Sequence, residues 1–291
     1  MTKTDTRQVG VVPRPTRGYA SGPHGQVHFH DTAAPGAGAA LVLLHQSPAS
    51  ARQFEAAFLP LARRGIRSIA IDTPGFGNSD PTPFVPDVAD WAGSIVAVLD
   101  HLGVGAADVL GHHTGSMTAT EVALQFPARV RRLILNGPFP ATAAERAQYL
   151  EAMQRAAARF VPQLDGSHLL RSFELRRQMY GPAPDPVVLT RGVVEKYQAR
   201  GPFQWGHDAA FRYDHAAAMQ KLALRTLILT NTGDDIHALA QRARAMFPHF
   251  EYRELEGGTH DIVDQQPEAW ADAVAAFLAG PSDPETRSGR P

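Results

Sequence analysis

The chain of 291 residues contains no cysteine. That absence excludes disulfide staples, thiolate metal sites and a thiol nucleophile together, and it leaves redox chemistry silent about compartment. An excess of charge of one sign is also lacking. Twenty-eight basic against 29 acidic residues leave a formal net charge of −1, too weak a field to draw in nucleic acid or an anionic membrane. No uninterrupted apolar run reaches spanning length, and the amino-terminal stretch has basic residues and threonines without the apolar centre of a secretory signal. The expectation is a soluble, cytoplasmic protein whose partner is a small molecule, without a cofactor, nucleic acid or membrane. Oligomeric state is not legible.

What is present is an alternation. Short segments rich in Val, Ile and Leu at residues 26–31, 40–44, 68–71, 108–110, 132–135, 226–229 and 252–255 read as mostly buried strands. Helical stretches at residues 51–64, 88–102, 116–126, 238–246 and 267–278 separate most of them. This order predicts an α/β fold with a mostly parallel, doubly wound sheet and helices on both faces. The rhythm breaks across residues 140–222, where spacing is helical and no strand is convincing. The predicted organisation is therefore a core of residues 18–139 and 223–280, an inserted helical cap at 140–222, and disordered tails at 1–17 and 281–291, which are rich in Pro, Gly, Ser, Thr and charge. The cap carries nine aromatic residues, among them Phe160, Tyr197, Phe203 and Phe211. Most are expected to pack the cap against itself, with two or three facing a pocket.

Val109-Leu-Gly-His-His-Thr-Gly115 has the outline of a strand-to-helix nucleophile elbow, G-x-S-x-G, with His113 where serine normally stands. Glycines Gly111 and Gly115 fall where the sharp turn needs missing side chains. Four further stretches appear in the matching order. Leu41-Val-Leu-Leu-His45-Gln-Ser-Pro48 is like a strand ending in H-G-x-P, and Ile71-Asp72-Thr-Pro-Gly75-Phe-Gly77-Asn-Ser79-Asp80 is like a D-x-P-G-x-G-x-S-D loop. Leu227-Ile-Leu-Thr-Asn-Thr-Gly233-Asp234 and Glu256-Gly-Gly-Thr-His260 follow. Over residues 18–278 the chain thus resembles the α/β-hydrolase superfamily, nearest its lid-bearing branch of epoxide hydrolases, haloalkane dehalogenases, C–C bond hydrolases and prolyl iminopeptidases. The resemblance implies Asp234 as the acid that holds His260, with Asp235 as the alternative. It also implies an oxyanion hole from the backbone N–H groups of Gln46 and Thr114. Gln46 replaces the family's glycine, and its side-chain amide is a further candidate donor.

A neutral imidazole carries its own lone pair, so His113 needs no second residue to act as base or nucleophile. The helix that starts beside it and burial under the cap both disfavour imidazolium, which predicts a neutral His113. A carboxylate at His260 predicts the reverse there, so the constellation His113, His260 and Asp234 reads as a base and an acid across one cavity. The expected activity is hydrolysis of a small apolar carbonyl compound: an ester, a lactone or a C–C bond. Two rivals remain: a lyase, cyclase or isomerase that uses His113 to remove a substrate proton, and a binding protein that has lost its chemistry. An alkyl-enzyme ester is disfavoured because no carboxylate occupies the elbow. His112 and His45 read as supporting residues, and Asp72, Gly75, Gly77 and Ser79 as holding a loop. A metal held by His45, His113, His260 and Asp234 is the weaker reading, since Asp234 is committed to His260.

Overall fold

The computed structural model describes residues 15–33, 40–181 and 183–280. Its sheet has eight strands: β1 (Thr16–Gly22), β2 (Gly25–Asp31), β3 (Ala40–Leu44), β4 (Arg67–Ile71), β5 (Ala107–His112), β6 (Val130–Asn136), β7 (Thr226–Asn231) and β8 (Glu251–Leu255). Their spatial order is β1-β2-β4-β3-β5-β6-β7-β8. β1 and β2 form an antiparallel hairpin, and β2 runs antiparallel to β4. The other pairings are parallel. The predicted doubly wound α/β architecture is what the chain adopts. β1 starts two residues inside the stretch expected to be a tail, so Thr16 and Arg17 are corrected to strand. Its sequence, TRGYASG, lies at the sheet edge and is largely exposed, and an edge strand needs no apolar alternation to pair. The rest of the expected tails, 1–14 and 281–291, lies outside the described residues.

Strand β3 shows how the core divides. All five of its residues are buried, as expected for a parallel strand covered on both faces. Successive side chains point to opposite faces. Val42 and Leu44 join Ile95 and Leu99 of helix α2 (Ala92–His101) and Val122 of α3 (Thr114–Gln125). Leu41 and Leu43 join Phe58 and Leu61 of α1 (Glu55–Arg63). Trp270 is fully buried in this second layer. Truncating such a side chain to alanine typically costs about 3–5 kcal/mol.

Between β6 and β7 the described residues form helices only: α4 (Ala143–Ala158), α5 (Ser167–Met179), α6 (Pro186–Gln198), α7 (Trp205–Arg212) and α8 (His215–Met219). α4 starts at a reciprocal Thr142/Glu145 capping box. α6 begins with Asp185 capping the Val187 N–H at 2.8 Å and a proline in the first turn. After β7 the chain adds α9 (His237–Met246), and after β8 the short α10 (Ile262–Gln265) and α11 (Pro267–Leu278). Arginines of the helical insertion tie it to the loop and helix after β8: Arg176 bonds Asp261, and Arg191 bonds Asp264. Among the described residues, no helix is long and apolar enough to cross a membrane.

Candidate active site

The residues singled out from sequence follow the carboxyl ends of the parallel strands, where ligands of open α/β sheets bind. Gln46 follows β3, His113 follows β5, Asp234 follows β7 and His260 follows β8. His113 has φ 48° and ψ −112° and is the non-glycine residue with positive φ among those described. This strained geometry lifts its side chain above the strand end. A Cβ on Gly111 would lie 1.9 Å from the Gly115 carbonyl oxygen, and one on Gly115 would lie 2.1 Å from that of Leu44. No other residue type fits at either position. The turn is fixed by His113 N–H donating to the Asn136 carbonyl at 2.8 Å and by the Ser116 N–H and hydroxyl donating to the His113 carbonyl.

The acid does not serve the residue predicted for it. His113 Nε2 lies 2.8 Å from Asp234 Oδ2, with the Asp234 side chain inaccessible and that of His113 18 % exposed. His260 makes no bond to Asp234. Its Nδ1 is 3.7 Å from Asp235, and its Nε2 faces Arg176 Nη1 and, at 3.4 Å, Asp261. The cause is length. The imidazole at the elbow is longer than a serine side chain, and its far nitrogen meets the acid with no residue between them. Gly137 makes this possible, because a Cβ there would lie 2.4 Å from His113 Cδ2. Sequence reasoning missed Gly137, whose only signal is a glycine immediately after a strand.

The electrostatics are exchanged accordingly. Burial works against a charged His113, but the charge and hydrogen bond of Asp234 outweigh it and raise its pKa above the ordinary value. Asp234, despite its own burial, is held far below the usual carboxylate range by the His113 charge and hydrogen bond. His260 is pushed down to about 3 by burial and by the positive charges of Arg176 and His113. The expected directions, a lowered pKa at His113 and a raised one at His260, are therefore reversed. A carboxylate in contact with His113 overrides the dipole of the helix it caps.

The predicted oxyanion donors fare differently. Thr114 opens α3, whose leading amides have no acceptor within the helix. Gln46 N–H instead donates to Gln53 Oε1 at 2.9 Å, which removes it as a free donor. The Gln46 side-chain amide donates to the His260 carbonyl at 3.5 Å. Gln53 was not legible from sequence. It is buried, and its Nε2 donates to His112 Nδ1 at 2.5 Å, clamping the β3 loop to the elbow strand. His45 orders the same loop, with Nδ1 donating to the Gln46 carbonyl at 2.8 Å and Nε2 accepting from Thr73 N–H at 3.0 Å. Asp72 accepts from Ala51 N–H, Asn78 N–H and His28. Ser79 Oγ donates to the Asp72 carbonyl, and a Cβ on Gly77 would strike Asp72 at 2.1 Å. These residues hold the loop, as read. One donor atom from each of His112, His113 and Asp234 lies within 4.8 Å of the others, a set able to take a cation and different from the one considered from sequence.

A family model for the α/β hydrolase fold matches residues 39–267. The chain belongs to that family. Among curated relatives, this α/β-hydrolase-fold protein is 38% identical over 117 residues to a 2-hydroxy-6-oxononadienedioate/2-hydroxy-6-oxononatrienedioate hydrolase of Burkholderia vietnamiensis. The match covers 38% of this chain and spans only 40% of the relative. A hydrolase from Pseudomonas aeruginosa superposes with TM-score 0.74 at 19% identity, over 91% of this chain and 99% of that one. Epoxide hydrolase A from Mycobacterium thermoresistibile gives 0.72 at 19%, over 91% and 98%. At such identities these two structures speak for the fold alone.

Proposed function

We propose that this protein is a hydrolase of a small, largely apolar carbonyl compound, an ester, a lactone or a C–C bond beside a carbonyl, with His113 as general base. The observation that carries the reading is the 2.8 Å contact between His113 Nε2 and Asp234 on a strained elbow. With Asp234 accepting the Nε2 proton, the lone pair of the neutral ring sits on Nδ1. That atom takes a proton from water as the water attacks the carbonyl, and Asp234 stabilises the imidazolium that forms. The same imidazolium then returns its proton to the leaving group. Thr114 N–H serves the developing oxyanion. His260, neutral at its low pKa, lines the site as a polar wall and is not the acid. The names of relatives that hydrolyse C–C bonds and epoxides support a hydrolase. We assign it to the cytoplasm, with a small molecule as its partner.

The elbow carries no oxygen or sulfur nucleophile, and this favours one second reading, removal of a carbon-bound or hydroxyl proton by the same base in a lyase or isomerase. The test is His113→Ala on a panel of p-nitrophenyl esters, lactones and 2-hydroxy-6-oxodienoates. Turnover is expected to fall by about a hundred- to ten-thousand-fold with affinity kept. Unchanged turnover refutes both readings. Product oxygen drawn from labelled water identifies hydrolysis, whereas solvent deuterium in an unhydrolysed product identifies the second.

A further inference from the structure

With Gln46 N–H held by Gln53, the elbow retains one backbone donor for a carbonyl oxygen. The helical insertion brings another polar group to the same place. α7 docks Gly206 directly on the β3 loop, where a Cβ would lie 2.1 Å from Ser47 Oγ and 2.7 Å from Phe76 Cζ. The next residue, His207, is half-buried, and its ring stacks on Phe211 with centroids 5.9 Å apart. Phe211 in turn packs on Phe139 at 5.6 Å, two residues beyond the Gly137 that abuts His113. His207 is thus held by Phe211 on the helix that docks against the β3 loop. Among the described residues, neither of its ring nitrogens has a hydrogen-bond partner, and neither is fully buried as the orphaned nitrogens of His30, His112 and His260 are. Burial, then the positive charges of His113 and Lys196, press its pKa down to about 4. It is therefore a neutral imidazole at pH 7, carrying one N–H and one lone pair.

We propose that His207 is a substrate-contacting residue whose ring N–H donates to the substrate's carbonyl oxygen, standing in for the Gln46 amide. A neutral donor suits this task, because an imidazolium at His207 would oppose the positive charge that His113 gains when it takes a proton from water. The inference deepens the hydrolase reading and rests on it. It adds that the substrate's reacting carbonyl lies between elbow and cap, with its oxygen turned toward α7.

The experiment compares His207→Gln, which keeps an N–H donor, with His207→Phe, which keeps the stack on Phe211, and sets both beside His113→Ala. Turnover is read with p-nitrophenyl butyrate and δ-valerolactone. His207→Phe is expected to lower kcat by about 10- to 1,000-fold, the range for an oxyanion donor, while His207→Gln stays within about tenfold of the parent. If His113→Ala abolishes turnover and His207→Phe matches the parent, the inference is overturned and the hydrolase reading stands. If His113→Ala is unaffected, or nothing turns over, the hydrolase reading fails. His207 is then judged by ring ¹⁵N resonances of histidine-labelled protein titrated with cyclohexanone, an inert carbonyl. A shift at His207 that is absent in His207→Gln supports carbonyl binding, and no shift overturns it.

Discussion

Glu195 makes the electrostatics of the seam between insertion and core measurable. Its carboxyl, on α6, is 2 % exposed and accepts the Ser50 hydroxyl at 2.8 Å. Burial raises its pKa to about 7, against the lowering effects of the Ser50 bond and of the Arg191 and Arg52 charges. Arg191 approaches it only to 4.0 Å because its guanidinium is spent on Asp264. The folded protein therefore holds a proton on Glu195 between pH 4.5 and about 7, where the unfolded chain has lost it. Stability from this group is full below the unfolded value and falls as pH rises through that window. The difference between about 7 and 4.5, at about 1.36 kcal/mol per pH unit, amounts to about 3 kcal/mol. Glu195→Gln keeps the acceptor for Ser50 and cannot ionise. Urea unfolding of parent and variant, followed by tryptophan fluorescence from pH 4 to 8, should give nearly equal stabilities at pH 4 and a variant about 3 kcal/mol more stable at pH 8. A constant difference, or one that turns against the variant as pH rises, would mean that the arginines outweigh burial, and it would refute the reasoning.

The His113 and Asp234 contact makes further predictions. A base must be neutral to work, so kcat/KM is expected to rise with pH through the His113 pKa, which lies above its ordinary 6.5. Asp234→Asn should move that limb to lower pH and reduce turnover, and a profile unmoved by the change would separate the two residues. His113→Ser should not create an esterase, because His260 stands at Arg176 rather than between elbow and acid, and a burst of p-nitrophenol from the variant would contradict this. Gly137→Ala should damage activity far more than fold, since the new methyl group meets the His113 ring at 2.4 Å on a backbone with φ +65°. Circular dichroism and turnover measured together decide it.

Much of the framework is local, and for that reason it could be read. The strand at 40–44 is an apolar run because it is covered on both faces, and Gly111 and Gly115 are glycines because carbonyls lie where a Cβ would be. The loop held by Asp72 is written in Asp72, Gly77 and Ser79 themselves. β1 escaped notice because an edge strand in a hairpin carries no pattern of its own. Gln53 and Gly137 escaped it because their effect depends on what stands opposite them, 59 residues away at His112 for Gln53 and across the elbow at His113 for Gly137.

The sequence by itself determined the order of strands and helices, the elbow, and the identities of the titratable groups gathered at the strand ends. Tertiary structure alone decided which of them touch. Order along the chain specifies which loop a side chain leaves from, but hydrogen bonds depend on reach. An imidazole on a positive-φ turn reaches Asp234 and leaves His260 to a guanidinium from the insertion. Burial lowers the pKa of both histidines, and only a carboxylate against the ring reverses it, so that difference in partners exchanged the direction of the shift at His113 and His260.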